Sequence, residues 1–363
     1  MDALGKAPDG TAVLAAFSAQ VRAACGVGLD EVVARAAASL GGRGSPRDDL
    51  AVYRYLSYHL GLTDLDGGPL PTAARGKGIR PLVCLCAAAA VGGDAANAVG
   101  VAAAVELTHE FSLIHDDIQD GDRLRRGRPT LWTQVGVAQA INAGDALFAI
   151  ARALLTAPDR AYDDATAVAL AAAYDEACLR LAEGQQQDIG FETGAPVTDA
   201  AYLRMVTDKT GALLGAAAAM GALAGGADAA LAAGLGRFGE TVGVAFQIHD
   251  DVLGLWGRPE RTGKPAGNDL RRRKRSLPIL RGLAHPRIGS ELALRLADER
   301  PLDDDETADW LDQLEACGCR EAATTEALAA AARAQGMLDA MPLRAEPAEL
   351  LGGLARAAVM RDR

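Results

Sequence analysis

Apolar residues recur along this chain at intervals of three and four, the spacing of helices that bury one face. The pattern predicts helices over residues 30–40, 49–60, 80–91, 94–119, 131–155, 163–187, 199–223, 227–254 and 277–283, with two or three shorter ones from 289 to the C-terminus. Clusters of Gly and Pro punctuate it, and residues 41–46, 61–75, 121–129, 190–196 and 257–268 read as loops. No run of period-two alternation marks a sheet, and no segment recurs at a fixed period. An all-α protein follows, with residues 1–363 in a single domain and residues 1–28 only loosely ordered.

Composition sharpens that picture. Of 363 residues, 50% are apolar but only 4% aromatic, and alanine is abundant, which favours tightly packed helices over sheets. A net charge of −11 argues against a general nucleic-acid binder but leaves room for a phosphate ligand held by local basic clusters. Residues 210–227 carry no charge and approach membrane-spanning length, yet their Gly and Ala content predicts close packing in a soluble core. Met1 to Gly10 lack the basic-then-apolar order of a signal peptide. Cys25, Cys84, Cys86, Cys178, Cys317 and Cys319 lack zinc-site spacing and read as reduced structural thiols of a cytoplasmic protein.

The candidate chemistry lies in two repeats of Ile-His-Asp-Asp, at Ile114–Asp117 and Ile248–Asp251. Each follows an apolar run, where adjacent carboxylates keep their charge only if something compensates it. Hard oxygen ligands without nearby cysteine point to Mg²⁺. On a helix Asp116 and Asp120 share a face, with Asp117 beside them. A basic loop with Arg123, Arg125, Arg126 and Arg128 comes next, and after Asp250 and Asp251 come Lys264 and the run Arg271 to Arg275. Acid followed by base suits a metal-bound diphosphate, whose oxygens accept from arginine forks. The alternative is a solvated helix end with mutual salt bridges.

These segments resemble the trans-prenyl diphosphate synthases, with motifs in the same order from about residue 50 to 285. Gly76-Lys77-Gly78-Ile79-Arg80-Pro81 is similar to that family's Gly-Lys-x-x-Arg-Pro segment, which makes Lys77 and Arg80 contacts for isopentenyl diphosphate, with His109 a third. The resemblance assigns Arg125 to the allylic diphosphate and Arg126 to isopentenyl diphosphate. Glu183 to Asp188 resembles a segment near the metals. Lys209 and Thr210 match the pair at the allylic diphosphate, and Gln247 precedes the second motif. Lys264 and Lys274 fall in segments that close over the site. The resemblance thus implies a bundle of about ten or more helices around a central cavity, a homodimer, and three Mg²⁺ ions held by Asp116, Asp117, Asp120, Asp188, Asp250 and Asp251. One departure stands out: the second motif usually ends in a third aspartate, and here that position is Gly254.

By the same resemblance, metals with Lys209, Lys264 and Arg125 stabilise a departing diphosphate, and the resulting carbocation is attacked by isopentenyl diphosphate. Catalysis is thus expected of Asp116, Asp120, Asp250, Lys209 and Arg125. Phe111 lies five positions before Asp116 and Ser112 four before it. A large residue at the first and a small one at the second imply a floor that stops the chain at geranylgeranyl diphosphate (C20), with C15 and C25 products as alternatives. A class I terpene cyclase is a competing reading, but Arg272 and Ser276 stand where its second metal motif needs Ser and Glu. A non-catalytic partner subunit of another synthase is a second, supported only by Gly254.

Overall fold

The computed structural model describes residues 18–21, 29–40, 51–71, 76, 78–192, 197–257 and 266–359. The expectation for residues 1–28 falls almost wholly outside them, as do Lys77 and Lys264. Among the described residues are sixteen α-helices and one short hairpin, so the chain is all-α. Two compact units emerge: Met1–Glu176 with Ala216–Gly236 and Pro342–Leu351, and Ala177–Gly215 with Arg237–Met341 and Gly352–Arg363. No helix among the described residues is long and apolar enough to cross a membrane.

In the first unit α1 (Leu29–Leu40), α2 (Ala51–His59) and α3 (Ile79–Ala90) precede α4 (Val99–Gln119), which packs against α1, α3 and α6 (Val137–Leu154). Val101, Val105, Leu107 and Ile114 of α4 are buried, as the three-and-four spacing predicts. Alanine and glycine let these helices approach closely. A Cβ on Gly221 would stand 2.1 Å from the Cys84 carbonyl oxygen. Between α4 and α6 the chain forms β1 (Leu124–Arg125) and β2 (Arg128–Pro129), then α5 (Leu131–Val135). The hairpin replaces part of an expected loop, with Arg126 (φ 54°) and Gly127 (φ 74°) turning it. The helix expected over 131–155 is broken at Gly136, whose φ of 83° no helix tolerates. Next comes α7 (Asp164–Phe191).

In the second unit α8 (Asp199–Val206) starts at Thr198, whose hydroxyl accepts from the Ala201 N–H. It runs into a π turn at Thr207–Gly211 before α9 (Ala212–Ala224) and α10 (Ala229–Trp256), whose stretch Ala216–Gly236 belongs to the first unit. The helix expected over 199–223 is therefore interrupted at its chemistry-bearing residues, where wide turns often fall. After α11 (Asn268–Arg271) and α12 (Leu277–Ala284) come four further helices, not two or three: Gly289–Ala297, Asp304–Ala316, Cys319–Asp339 and Ala345–Ala358. Tyr202, Ile248, Leu277 and Ala327 centre one core of this unit, and Leu255, Ile279, Trp310 and Leu314 another. Trp256 packs against both, under the Arg320 guanidinium 5.5 Å from its ring centre.

Candidate active site

Helix α4 delivers Asp116 and Asp117 in its last turn and is capped by Asp120, whose N–H donates to the Asp116 carbonyl. Asp117 is buried, and Asp116 and Asp120 are partly exposed. The hairpin carries arginine back toward these acids. Arg125 forks onto Asp117 Oδ1, with Nε at 2.8 Å and Nη2 at 2.6 Å. Burial pushes the Asp117 carboxyl up, and the Arg125 guanidinium opposes it. Asp117 Oδ2 is buried without a hydrogen-bond donor. An orphaned carboxylate oxygen is costly unless a cation completes it.

Two turns earlier on α4 lies a second charged group. Glu110 accepts from Arg126 Nη2 at 2.7 Å, and His59 Nε2 lies 3.0 Å from its other oxygen. Burial pushes the Glu106 carboxyl up to about 7, with the Glu110 charge adding to it. Burial and then the Arg80 charge hold His109 well below the usual imidazole range, so it offers a neutral ring. Arg80 opens α3 and is half-buried. Sequence reasoning missed Glu110 and His59. A lone His and a lone Glu on mostly apolar helices carry no spacing signal, and only their contacts mark them.

The expected floor residues sit on the same helix. Phe111 meets His115 and Phe148 edge-on, each with ring centres 5.4 Å apart, and Phe148 lies 6.0 Å from Tyr174. Ser112 is buried and donates to the His109 carbonyl at 2.8 Å. His115 rests over Gly144 of α6, where a Cβ would lie 2.3 Å from its Nε2.

The second unit collects the other expected residues. The π turn presents Lys209, whose Nζ lies 2.5 Å from Asp188 Oδ2 on α7. Gly184 makes the crossing possible, since a Cβ there would stand 2.2 Å from the Lys209 backbone nitrogen. The Thr210 hydroxyl donates to Gln247 Oε1 at 2.8 Å, and Gln247 Nε2 donates to Asp251 Oδ1 at 3.1 Å. Asp251 Oδ2 accepts from the Tyr202 hydroxyl at 2.6 Å and from the Leu277 N–H at 3.0 Å. Burial and the Asp269 charge push its carboxyl up to about 6 against these bonds. Asp251 is thus a buttress of α10, while Asp250 beside it is partly exposed. Lys274 donates its backbone N–H to the Asp269 carbonyl at 2.9 Å.

Gly254 now has a physical setting. A Cβ at 254 would lie 2.3 Å from Asp269 Oδ2 and 2.5 Å from its Cγ. The Asp269 carboxylate, itself buried, fills the volume where a side chain at 254 would begin.

Among the described residues no three His, Cys, Asp or Glu side chains converge closely enough to hold a metal by themselves. The donors nevertheless fit a hard divalent cation: in the first unit carboxylate oxygens beside arginine, one of them orphaned at Asp117, and in the second Asp188 beside Lys209. Such a set suits an ion whose shell is completed by water and phosphate oxygens. Carboxylates near the end of α4, faced by arginines of the hairpin, suit an anionic ligand. The sequence profile of the polyprenyl synthetases matches residues 71–313, and the chain belongs to that family of prenyltransferases. It is 46% identical over 253 residues to the geranylgeranyl diphosphate synthase of Mycobacterium tuberculosis, covering 70% of each chain. It is 40% identical over 311 residues to a (2E,6E)-farnesyl diphosphate synthase of Mycobacterium bovis, covering 85% of each. The fold superposes on a polyprenyl synthetase from Streptomyces coelicolor with a TM-score of 0.84 at 34% identity, covering 95% of this chain and 99% of that one.

Proposed function

We propose that this protein condenses isopentenyl diphosphate with an allylic diphosphate (dimethylallyl, geranyl or farnesyl), in an Mg²⁺-dependent reaction, to give geranylgeranyl diphosphate. The observation that carries the reading is the pairing on α4 and its hairpin, where Arg125 meets Asp117 and, two turns away, Arg126 meets Glu110. Two arginines held by two carboxylates suit two diphosphates. Asp116, Asp117 and Asp120 with Asp188 and Asp250 would hold the magnesium ions, and Asp251 would support Asp250. A polyprenyl synthase from Caulobacter crescentus, 28% identical with a TM-score of 0.80, is complexed with calcium and isoprenyl diphosphate, which supports a divalent ion at such a site.

Magnesium, when bound, neutralises the diphosphate that leaves. The chain's part is electrostatic and positional. Lys209 and Arg125 stabilise the leaving oxygens as the allylic carbon–oxygen bond breaks. Lys77, Arg80, His109 and Arg126 hold isopentenyl diphosphate so that its double bond forms the new carbon–carbon bond. A proton then leaves for the departed diphosphate, restoring an allylic product longer by one C5 unit. Thr210 and Gln247 align the π turn with α10, and Lys264 and Lys274 close over the substrate.

Phe111, backed by Phe148, is the floor that sets C20. The farnesyl synthase of Mycobacterium bovis spans more of this chain than the geranylgeranyl synthase does, and that favours C15 as the second reading. Val137, Ile141 and Phe148 are exposed along α6, with Val168 on α7, an apolar face that supports a homodimer. To test the activity, purified protein is given Mg²⁺, isopentenyl diphosphate and each starter in turn, and the products are dephosphorylated and sized. A C20 alcohol is expected. A C15 or C25 alcohol keeps the reaction and discards the floor, hydrocarbon indicates a cyclase, and no product from any starter refutes the proposal.

A further inference from the structure

Arg126 is a non-glycine residue with φ 54°, a left-handed conformation that costs about 1–2 kcal/mol. Something must hold it there. Its guanidinium donates through Nη2 to Glu110 Oε1 at 2.7 Å, while Nη1 lies 3.4 Å from Oε2. That second oxygen is shared, since His59 Nε2 also stands 3.0 Å from it with both side chains buried. Burial works to raise the Glu110 carboxyl, but His59 and Arg126 outweigh it and hold the group well below the usual carboxylate range. Glu110 therefore stays charged, with one short bond to Arg126 at Oε1 and one long bond at Oε2, the oxygen that His59 faces.

His59 is fixed in turn. It ends α2, and its neighbour Tyr58 straps that helix end to the hairpin: its hydroxyl donates to the Pro129 carbonyl at 2.8 Å. Arg128 donates to the Tyr58 carbonyl at 2.7 Å and stacks 4.3 Å over its ring. Gly76, at the start of the Gly76–Pro81 segment, fits directly against the pair. A Cβ there would lie 2.7 Å from Arg126 Nη2 and 3.1 Å from Glu110 Oε1. A cleft opens alongside, lined by His59, Asp117, Arg125, Arg126 and Arg128 among others.

We propose that His59 and Glu110 are positioning residues for isopentenyl diphosphate, acting through Arg126. The inference rests on the prenyltransferase reading and extends it. Standing 3.0 Å from Glu110 Oε2, His59 competes for the oxygen that takes the second arm of the Arg126 fork, and that arm is long at 3.4 Å. An even, short fork is the stronger and more neutralising pair. The lopsided fork anchors Arg126 through Nη2 and leaves Nη1 to be drawn onto a diphosphate oxygen. Loss of the His59 imidazole lets Glu110 tighten the second arm, and the loss falls on the substrate that Arg126 holds.

The test compares wild type with His59→Phe, His59→Gln and Glu110→Gln, measuring KM separately for isopentenyl diphosphate and for the allylic starter, with thermal midpoints recorded for each. His59→Phe is expected to raise the isopentenyl diphosphate KM about tenfold, equivalent to about 1.4 kcal/mol, against less than about twofold for the starter. His59→Gln, which keeps a donor, restores most of that ratio, and Glu110→Gln shifts it in the same direction as His59→Phe. Should His59→Phe fail to fold, the other two variants decide. Equal changes in both KM values, or none, overturn the proposal while leaving the enzyme's reaction standing. A wild type that condenses nothing overturns the prenyltransferase reading, and this inference with it.

Discussion

Gly184 is where the path of the backbone and the charged site meet most tightly. A Cβ at 184 would stand 2.2 Å from the Lys209 nitrogen, 2.7 Å from its Cα and 2.8 Å from the Asp208 carbonyl carbon. Ordinary contact needs about 3.5 Å, so α7 or the π turn must retreat by about 1 Å. The obstacle is backbone, so no rotamer change relieves it. Overpacking of this kind costs about 1–3 kcal/mol, and alanine returns about 1 kcal/mol of helix propensity. Gly184→Ala is therefore expected to lose up to about 2 kcal/mol of stability and, by displacing Lys209 from its place beside Asp188, about a hundredfold in kcat/KM. Gly225→Ala is the control. Its Cβ would meet the Ala88 carbonyl oxygen at 2.6 Å, at the end of α3 remote from Arg80. It should lose comparable stability while keeping kcat/KM per folded molecule within about threefold, since no substrate-facing group moves. Denaturant unfolding measures the first quantity and pyrophosphate release the second. If both variants lose activity alike, or Gly184→Ala keeps it, the reasoning about Lys209 fails.

Four further outcomes follow from the same geometry. Gly254→Asp, which restores the residue more usual at that position, should destabilise the protein and raise its Mg²⁺ requirement, because it collides with Asp269 and adds charge near buried Asp251; Gly254→Asp with Asp269→Gly should recover, as read by urea midpoints with and without Mg²⁺. Phe111→Ala should lengthen the product beyond C20, as sized after dephosphorylation, whereas an unchanged product would make Phe111 simple core. The Asp251 carboxyl, raised from 3.8 to about 6, keeps a proton in the folded state that the unfolded chain releases. In EDTA, stability should therefore fall as pH rises from about 4 to 6, and Asp251→Asn should flatten that slope in urea midpoints. Ile141→Asp, on the exposed face of α6, should convert a dimer to a monomer in sedimentation, and a monomeric wild type would refute the interface.

Much of the fold was legible because helix periodicity is local. The long apolar spans of α4, α7 and α10 needed no knowledge of their neighbours, and their ends fell within a few residues of the pattern. The misses have a common cause. The break at Gly136 and the π turn at Thr207–Gly211 lie inside runs whose composition favours continuous helix, and tertiary packing imposes both. The hairpin escaped notice because its first turn residue is Arg126, not the Asn or Gly that usually announces a left-handed turn. At the site, paired aspartates and arginines were visible as charge inside apolar sequence. Tyr202, which holds Asp251, and His59, which holds Glu110, were not, since each reaches its partner from a different element. Asp269 is the same case: its relation to Gly254 exists only once α11 folds back on the end of α10.

The most direct measurement follows isopentenyl diphosphate consumed against pyrophosphate released, in wild type and Asp116→Asn, with Mg²⁺ and with EDTA. Ionisation coupled to condensation predicts one pyrophosphate for each isopentenyl diphosphate, abolished by EDTA and reduced by orders of magnitude in the variant. Pyrophosphate released at an undiminished rate without isopentenyl diphosphate would contradict the account, because ionisation would then proceed with no second substrate to condense.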